Sequence, residues 1–582
     1  MSHSPSLPRL HDQLEHHVSC IYPEQDCPAL IAKILGVFAG FQVTPQDHPN
    51  RLWDASDTLL ITYGDSLKSP DRVPLRTLEH FLDTYTKGAL SAIHVLPFCP
   101  FSSDDGFSVI DYLQVNPKLG DWADLEALSS KYRLMADLVL NHVSAESQWF
   151  ANYLRGSGEG SDFFIESSPE VDLSEVVRPR SSPLLRSVDT SNGEKHVWCT
   201  FGHDQIDLNF SNPRVLLKFL RIIREYLTHG VTVFRLDAIA YLWKQPGTTC
   251  LHLPETHEVV RLIRTVLDYF APGTLLITET NVPNRENLTY FGNRNEAHLI
   301  YNFSLAPLLV HALLSGTAKY LKMWMMSMPP APIGCTYLNF IASHDGIGMR
   351  PAEGLLSEEE QQQLVDTIRS FGGLVSLRRL PDGTEKIYEI NTSLFDAFQG
   401  TIEGPDQWQV ERMLCSQTIM MSLEGIPAFY IHSLLATPGN LAGVRATGQN
   451  RTINRYPWDY DRLQQALQQP ESNTARVLFE LLRIIQVRQA QPAFHPNATQ
   501  FTLQLRPHFF GIWRQSMDRQ QSIFCVSNLS DRKRKLKLTD LNLFSTYAWH
   551  DLLKGRPLKD LHATITLKPY QTLWISNQHE LP

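Results

Sequence analysis

Short apolar runs rich in β-branched and aromatic residues recur along the chain, and eight of them have the length of buried strands. They lie at 58–64, 91–98, 133–142, 231–239, 273–280, 297–303, 335–345 and 425–431. The segments between most of them, such as LLKFLRIIREYLTH and HEVVRLIRTVLDYF, space their apolar residues as helices do. Eight strands alternating with helices predict an α/β fold, a parallel (β/α)8 TIM barrel.

Two long excursions interrupt this alternation, and the end of the chain has a different pattern. The excursions cover about 144–205 and 346–412 and contain turn-rich stretches such as RPRSSP and RRLPDGTEK. Long loops in a compact fold are usually lids or small subdomains. After residue 495, short alternating runs such as SIFCVSNL predict an antiparallel β domain. We therefore expect an N-terminal extension at 1–45, a barrel at 46–495 with two inserted subdomains, and a C-terminal β domain at 496–582.

Composition and charge exclude several classes of protein. Hydrophobic residues make up 43% and charged residues 19%, as in folded globular chains, and a net charge of −9 argues against nucleic-acid or membrane-surface partners. The apolar runs are shorter than the roughly 20 residues that span a bilayer, and the start of the chain lacks the pattern of a signal peptide, so we expect a cytoplasmic protein. The eight cysteines contain no CxxC pair, which favours reduced thiols over disulfides or a zinc site.

Polar side chains follow the predicted strands at the ends where a barrel carries its active site. These residues are Tyr63, Asp65, Asp137, Asn141, His142, Arg235, Asp237, Glu279, His344 and Asp345. Any one of them could be a cap or a structural ion pair. Five carboxylates and two histidines at successive strand ends are harder to explain in this way, because crowded like charges destabilise a fold that does not use them. The pattern predicts an active site.

Four ordered segments then indicate a family. MADLVLNHVS, FRLDAIAY, ITETN and IASHDGIG resemble the motifs of glycoside hydrolase family 13, the α-amylase family, and the match runs over nearly the whole chain. The further segments LPFCPFSSDDGFSVIDY, RPRSSPLL, DQIDLNF and NRTINR resemble the sucrose phosphorylase branch, which includes enzymes acting on glucosylglycerol and glucosylglycerate. Four motifs in order on the predicted strands are a specific signal, whereas one alone is weak.

The resemblance implies a retaining enzyme that works by double displacement. Asp237 would be the nucleophile, Glu279 the general acid/base and Asp345 the transition-state stabiliser. Arg235 would keep Asp237 ionised. A pair formed by Asp65 and Arg455 would close the far side of the glucose pocket. The other residues expected to contact glucose are His142, His344, Phe107 and Tyr241.

Whether water or phosphate intercepts the glucosyl-enzyme depends on donors beside the leaving group. The resemblance implies that Arg180 and Tyr388 supply them, whereas Arg178 could equally be structural. Glu389 stands where sucrose phosphorylases usually have glutamine, which places fructose in doubt as leaving group. Because a carboxylate could bind glycerol hydroxyls and would repel glycerate unless an arginine intervened, glucosylglycerol leads, with glucosylglycerate and sucrose as alternatives.

Other activities stay open at this stage. They are a family 13 α-glucosidase or transglucosidase, and a non-catalytic sugar-binding or transporter-associated protein, although all three catalytic carboxylates are present. The expected partners are a small glucoside and inorganic phosphate as co-substrate, with no cofactor. No metal is expected, because the resemblance to the phosphorylase branch implies an active site without a metal ion. The chain is expected to be a monomer or a homodimer.

Overall fold

The computed structural model describes residues 7–41, 52–179, 182–379 and 384–578. Eight parallel strands form the barrel: β1 Leu59–Thr62, β2 Ala92–Val95, β3 Arg133–Val139, β4 Val231–Asp237, β5 Leu275–Thr278, β6 Leu299–Tyr301, β7 Thr336–Asn339 and β8 Ile426–Tyr430. The barrel closes in the order β1-β8-β7-β6-β5-β4-β3-β2. Every predicted apolar run supplies one of them, and the predicted fold class is confirmed.

The register of β3 and β4 explains why charge lies inside the barrel wall. Asp137 is the direct neighbour of Arg235, and Val139 of Asp237. Because side chains two residues apart on a strand point to the same face, Arg235 and Asp237 lie together on one side of β4. Arg235 therefore lies beside two carboxylates, Asp137 on β3 and Asp237 on β4.

Helices cover the outside of the barrel and occupy the excursions. Helix Pro213–Thr228 is representative: it starts at the Asn212 cap, has proline at its first position and buries a continuous apolar face. The helices are Leu7–Ile21, Cys27–Val37, Pro74–Phe81, Trp122–Ser129, Gln148–Arg155, Pro213–Thr228, Pro254–Phe270, Asn284–Asn287, Leu305–Ser315, Lys319–Ser327, Glu358–Ser370, Leu394–Ala397, Gln409–Ser422, Ile431–Leu434, Leu441–Thr447, Tyr460–Leu467 and Asn473–Gln489.

The first excursion returns to the barrel mouth through a short antiparallel pair. Strand His142–Ser144 pairs with Gln205–Asp207, so the end of the excursion lies beside the end of β3. Between these two strands in the sequence lies a hairpin, formed by Leu185–Thr190 and Gly193–Trp198. This arrangement brings residues near 205 to the predicted active site.

The second excursion forms a three-stranded sheet against the loop that follows β7. Strand Glu385–Asn391 lies between Ile347–Gly348 and Leu374–Arg379. Strand Glu385–Asn391 approaches the loop after β7 so closely that residue 346 must be glycine, since a Cβ there would lie 2.8 Å from the Ile390 carbonyl oxygen. The sheet thus brings Glu389 next to the loop that carries Asp345.

The end of the chain is the predicted antiparallel β structure. One sheet has six strands in the order Thr499–Thr502, Phe509–Gln515, Ser522–Asn528, Thr572–Ser576, His550–Asp551 and Arg556–Pro557. A second sheet pairs Arg534–Lys537 with Thr564–Leu567. This region packs against the barrel through buried residues such as Arg514, whose guanidinium donates to the Ser422 carbonyl oxygen at 2.9 Å.

The N-terminal extension contains two helices that pack on the outside of the barrel. Leu7–Ile21 lies against Pro254–Phe270, and Cys27–Val37 lies against Pro213–Thr228. Among the described residues, none of these helices or those of the barrel is long and apolar enough to cross a membrane.

Candidate active site

A cavity of about 710 Å³, which includes space open to solvent, lies at the carboxyl ends of the barrel strands. Most of the residues predicted from the sequence line it. They are Phe107, His142, Arg235, Asp237, Tyr241, Glu279, His344, Asp345 and Tyr388. The fold therefore brings residues that follow five barrel strands, and one residue of the second excursion, to one place.

Arg235 lies at the centre of the carboxylates. Its Nη1 donates to Asp137 Oδ1 at 2.5 Å and to Asp237 Oδ1 at 2.7 Å, while Nη2 lies 3.9 Å from Glu279 Oε2. Asp137 also accepts from His94 Nε2 at 2.7 Å. Burial alone would raise the pKa of Asp137, but His94 and Arg235 lower it to about 2. This fixed carboxylate holds the guanidinium that faces Asp237.

Asp237 and Glu279 are two carboxyl groups with different contacts. Burial raises the pKa of Asp237 well above its ordinary value, against the effect of Arg235, and burial also raises the pKa of Glu279. The arginine is much closer to Asp237, so Glu279 is better placed to hold a proton at neutral pH. Glu279 Oε2 accepts from the Ala238 amide at 3.0 Å. Ala238 has φ of +47°, a left-handed conformation unusual for alanine, directly after Asp237.

Asp345 is held by an arginine that the sequence analysis did not single out. Arg451 Nη1 lies 2.6 Å from Asp345 Oδ1. Burial opposes ionisation, yet Arg451 and the neighbouring cations hold the pKa of Asp345 below its usual range. His344 Nε2 lies 3.5 Å from Asp345 Oδ2. Asp345 is therefore a fixed negative charge in the cavity, as a residue that stabilises a developing cation must be.

Two histidines and a phenylalanine form one wall. The rings of Phe107 and His344 stack with centroids 4.9 Å apart. His142 Nε2 lies 2.9 Å from the Phe107 carbonyl oxygen and 3.2 Å from Gln205 Nε2. Burial lowers the pKa of His344 to about 3 and also lowers that of His142. Both rings are therefore neutral at physiological pH, and a neutral imidazole carries a single N–H. The N–H of His142 donates to the Phe107 carbonyl oxygen, which leaves His344 as the ring that can donate to a sugar hydroxyl.

The predicted pair of Asp65 and Arg455 is not formed. Arg455 forms an ion pair with Asp105, and its Nε donates to the His344 carbonyl oxygen at 2.9 Å. Asp65 instead lies 3.0 Å from Lys68 Nζ. The physical reason is local: Asp105 reaches Arg455 from a turn in a left-handed conformation, with φ of +47°, whereas Asp65 is paired with Lys68, three residues along the chain.

Asp65 and Arg455 still line a second cavity together with Tyr63, whose ring packs edge-on against the ring of His344 in the first cavity. The Tyr63 hydroxyl, His344 Nδ1 and Arg455 Nη2 are buried and have no hydrogen-bond partner among the described residues. Buried polar atoms in that state are expected to bind water or a ligand. They are the groups here that could bind glucose hydroxyls.

The acceptor side of the cavity differs from the sequence-based interpretation in one respect. Glu389 is 2% exposed and accepts both Nε and Nη2 of Arg451, at 2.8 and 2.9 Å. It is therefore not a solvated residue at the tip of a lid. Arg451 lines the cavity and bridges Glu389 to Asp345. The arginine that would relieve repulsion between Glu389 and a carboxylate ligand is thus present.

The predicted phosphate donors are only partly described. Tyr388 lines the cavity, and Arg180 lies outside the described residues, although Pro179 immediately before it also lines the cavity. Arg178 Nη2 donates to the carbonyl oxygens of Cys199 and Thr200, at 3.1 and 3.3 Å. These backbone contacts favour the structural interpretation of Arg178.

A lysine lies where an amylase-like barrel could bind a cation. Lys244 Nζ is 2.9 Å from Asp207 Oδ2 and donates to Asn141 Oδ1 and to the Tyr241 carbonyl oxygen. All of these oxygens are of the kind that Ca²⁺ prefers. Because the ammonium group already neutralises Asp207 and occupies these acceptors, the residues present do not fit a metal ion at this position.

Four residues of the site were not singled out from the sequence, although three lie in segments that carried the family resemblance. They are Asp104 in SSDDGF, Gln205 in DQIDLNF, Arg451 in NRTINR and Lys244. Arg451 is four residues before Arg455 in the same motif. Only the fold shows which of the two arginines faces the catalytic carboxylates.

Comparison with known proteins agrees with this geometry. The family description "Alpha amylase, catalytic domain" matches residues 82–338. The chain is 41% identical over 532 residues to the glucosylglycerate phosphorylase of Spirochaeta thermophila, covering 90% of each chain. It is 31% identical over 440 residues to the glucosylglycerol phosphorylase of Marinobacter adhaerens, covering 73% of this chain and 86% of that protein.

A solved structure shows the same likeness. The sucrose 6F-phosphate phosphorylase from Thermoanaerobacter thermosaccharolyticum superposes with a TM-score of 0.72 at 25% identity, covering 83% of this chain and 95% of that one. The barrel, the arrangement of carboxylates at its mouth and these similarities lead to one assignment. The chain belongs to glycoside hydrolase family 13, the α-amylase family, in the branch of sucrose phosphorylase-like glucoside phosphorylases.

Proposed function

We propose that this protein is a glucosylglycerate phosphorylase, which converts α-glucosylglycerate and phosphate into α-D-glucose 1-phosphate and glycerate with retention of configuration. This was an alternative in the sequence analysis, where glucosylglycerol led. The order changes because the 41% identical relative is a glucosylglycerate phosphorylase and the glucosylglycerol phosphorylase is only 31% identical.

The first half of the reaction forms the glucosyl-enzyme. Asp237 attacks the anomeric carbon, and protonated Glu279 donates its proton to the departing glycerate oxygen. Glu279 lies farther from Arg235 than Asp237 does, 3.9 Å against 2.7 Å, which supports the role of Glu279 as acid and that of Asp237 as nucleophile. Asp345 stabilises the positive charge that develops on the sugar ring.

The second half transfers glucose to phosphate. A phosphate oxygen attacks the anomeric carbon from the side that glycerate has left, its proton passes to the Glu279 carboxylate, and Asp237 departs as a carboxylate. Tyr388 at the cavity wall and Arg180, next to Pro179, are the donors we assign to phosphate. Two inversions at the same carbon give the α-configured product.

The observation that carries the choice of acceptor is the buried pair of Glu389 and Arg451. An unpaired Glu389 would repel glycerate and favour neutral glycerol. Arg451 binds both oxygens of Glu389 and also forms an ion pair with Asp345, so one cation is shared between two carboxylates. A glycerate carboxylate therefore meets a guanidinium beside Glu389 rather than an unpaired glutamate.

We further propose that the reaction needs no metal or organic cofactor, with Lys244 as the cation that neutralises Asp207. A cytoplasmic location and a monomeric or homodimeric state are retained as proposals. The net charge of −9 and the absence of a membrane-spanning helix among the described residues are compatible with the first. Light scattering during size-exclusion chromatography measures the second.

The test is a panel of phosphorolysis assays on glucosylglycerate, glucosylglycerol and sucrose, following release of glucose 1-phosphate. We expect the highest kcat/KM with glucosylglycerate and strict dependence on phosphate. Purified Asp237→Asn protein serves as the control for contaminating activities.

Higher kcat/KM with glucosylglycerol would restore the earlier ranking. Release of free glucose at the same rate with and without phosphate would instead identify a hydrolase, and the phosphorylase assignment would then be wrong.

A further inference from the structure

The N-terminal helix Leu7–Ile21 carries two potential metal ligands that face a carboxylate on a barrel helix. His16 and Cys20 are four residues apart and therefore lie on the same face of that helix. Cys20 Sγ is 3.9 Å from His16 Nε2, and His16 Nε2 is 4.0 Å from Glu258 Oε1, on helix Pro254–Phe270. All three ligand atoms lie within 4.8 Å of one another. We propose that His16, Cys20 and Glu258 form a binding site for Zn²⁺.

The separations suit zinc after a small contraction. Tetrahedral zinc with bonds of about 2.0 to 2.3 Å holds its ligand atoms roughly 3.3 to 3.8 Å apart. The separations of 3.9 and 4.0 Å exceed this range by a few tenths of an ångström, and the separation of Cys20 Sγ from Glu258 is at most 4.8 Å. The exposed side chains of His16 and Cys20 are the two that move to bind the ion. A thiolate, an imidazole and a carboxylate form a donor set that zinc favours over calcium or magnesium. Solvent can supply the fourth ligand.

Glu258 is held in place before any ion binds. Its side chain is only 7% exposed. His17 Nδ1 lies 2.5 Å from Oε1, and Arg261 Nη1 lies 2.7 Å from Oε2. One lone pair of Oε1 is therefore left for a ligand on the side where His16 and Cys20 lie. Hydrogen-bonded carboxylates of this kind are typical of metal sites, because the surrounding contacts orient the ligand.

Zinc binding replaces the proton of the Cys20 thiol, which passes to solvent, and no bond to carbon changes. The bound ion would join the N-terminal extension to the helix that follows strand β4. The cysteine spacing could not indicate this site, because the third ligand comes from a distant part of the chain. The expected effect is stabilisation of the folded protein by ligand binding.

The test uses full-length, tag-free, reduced protein after removal of metal with a chelator. Titration calorimetry with zinc chloride is expected to give one ion per chain, and zinc is expected to raise the midpoint of thermal unfolding. Co²⁺ should give a thiolate-to-cobalt charge-transfer band. His16→Ala and Cys20→Ser should each weaken zinc binding at least about tenfold, and Cys20→Ser should remove the cobalt band.

Two matched variants keep the test specific. Cys27→Ser changes the other accessible cysteine near this helix, and His11→Asn alters the exposed cluster of His11, Asp12 and Glu15; both should retain zinc binding. Zinc binding that survives His16→Ala and Cys20→Ser, or that is lost in His11→Asn, would overturn the proposal. So would the absence of binding by the metal-free wild type. Because His16 is exposed, its variant is expected to fold, which circular dichroism verifies.

Discussion

Replacement of Glu389 by glutamine tests the acceptor assignment most directly. The two side chains have the same shape, so the buried site at the end of the second excursion is not emptied. A glutamine oxygen can accept one N–H of Arg451, but its amide group donates and would face a second donor. The change thus removes one of the two bonds measured at 2.8 and 2.9 Å, together with one negative charge.

The magnitude follows from those contacts. A hydrogen bond between charged groups contributes about 1.5–3 kcal/mol, so the free energy of unfolding should fall by that amount. Arg451 keeps Asp345 at 2.6 Å, so the catalytic carboxylate stays in place and turnover persists. With one counter-charge removed, Arg451 should bind anions better, and we expect the ratio of kcat/KM for glucosylglycerate over glucosylglycerol to rise several-fold.

The assay is phosphorolysis of both donors, combined with urea unfolding of the same preparations. The control is Glu385→Gln, the same substitution at an exposed position of the same strand, Glu385–Asn391. It should change neither quantity. If Glu389→Gln instead lost activity on glucosylglycerol alone, with stability unchanged, Glu389 would bind glycerol directly and the proposed role of its pair with Arg451 would be refuted.

Three further outcomes are expected. Asp237→Asn should abolish turnover of every donor. Glu279→Gln should slow turnover of glucosylglycerate far more than turnover of glucosyl fluoride, whose leaving group needs no proton. Equal losses for the two donors in steady-state assays would contradict the acid/base role. Lys244→Met should lower the free energy of unfolding by about 3–5 kcal/mol, because it removes the buried cation that pairs with Asp207. Treatment of the wild type with a chelator should leave its activity unchanged. Burial lowers the pKa of His432 from 6.5 to about 3, so between these pH values the unfolded chain binds a proton that the folded protein does not. The free energy of unfolding should therefore fall by about 1.4 kcal/mol for each unit by which the pH is lowered in this range. His432→Gln should remove that share of the slope in denaturation curves.

The sequence was sufficient for the barrel and for placing the candidate carboxylates at its mouth. Short apolar runs rich in β-branched residues, separated by helical segments, indicated buried strands, and polar residues at their ends indicated the mouth of a parallel barrel. Asp237 ends β4 and Glu279 directly follows β5, so their positions are fixed by local order along the chain. Two predicted runs extended beyond their strands. β3 ends at Val139, with His142–Ser144 pairing with the first excursion, and β7 ends at Asn339, so Asp345 lies in the loop that follows it.

Tertiary structure alone decided which charges meet. Arg455 was matched with Asp65 from motif order, but a turn in the left-handed conformation brings Asp105 to it. Glu389 and Arg451 are far apart in sequence, and their pairing depends on how the second excursion folds over the loop after β7. Electrostatic pairing depends on distances of a few ångströms between separate elements, which hydrophobic periodicity does not encode. Strand pattern therefore determined the framework and the ends at which the candidate carboxylates lie, and the packing of the excursions determined the charge of the proposed acceptor site.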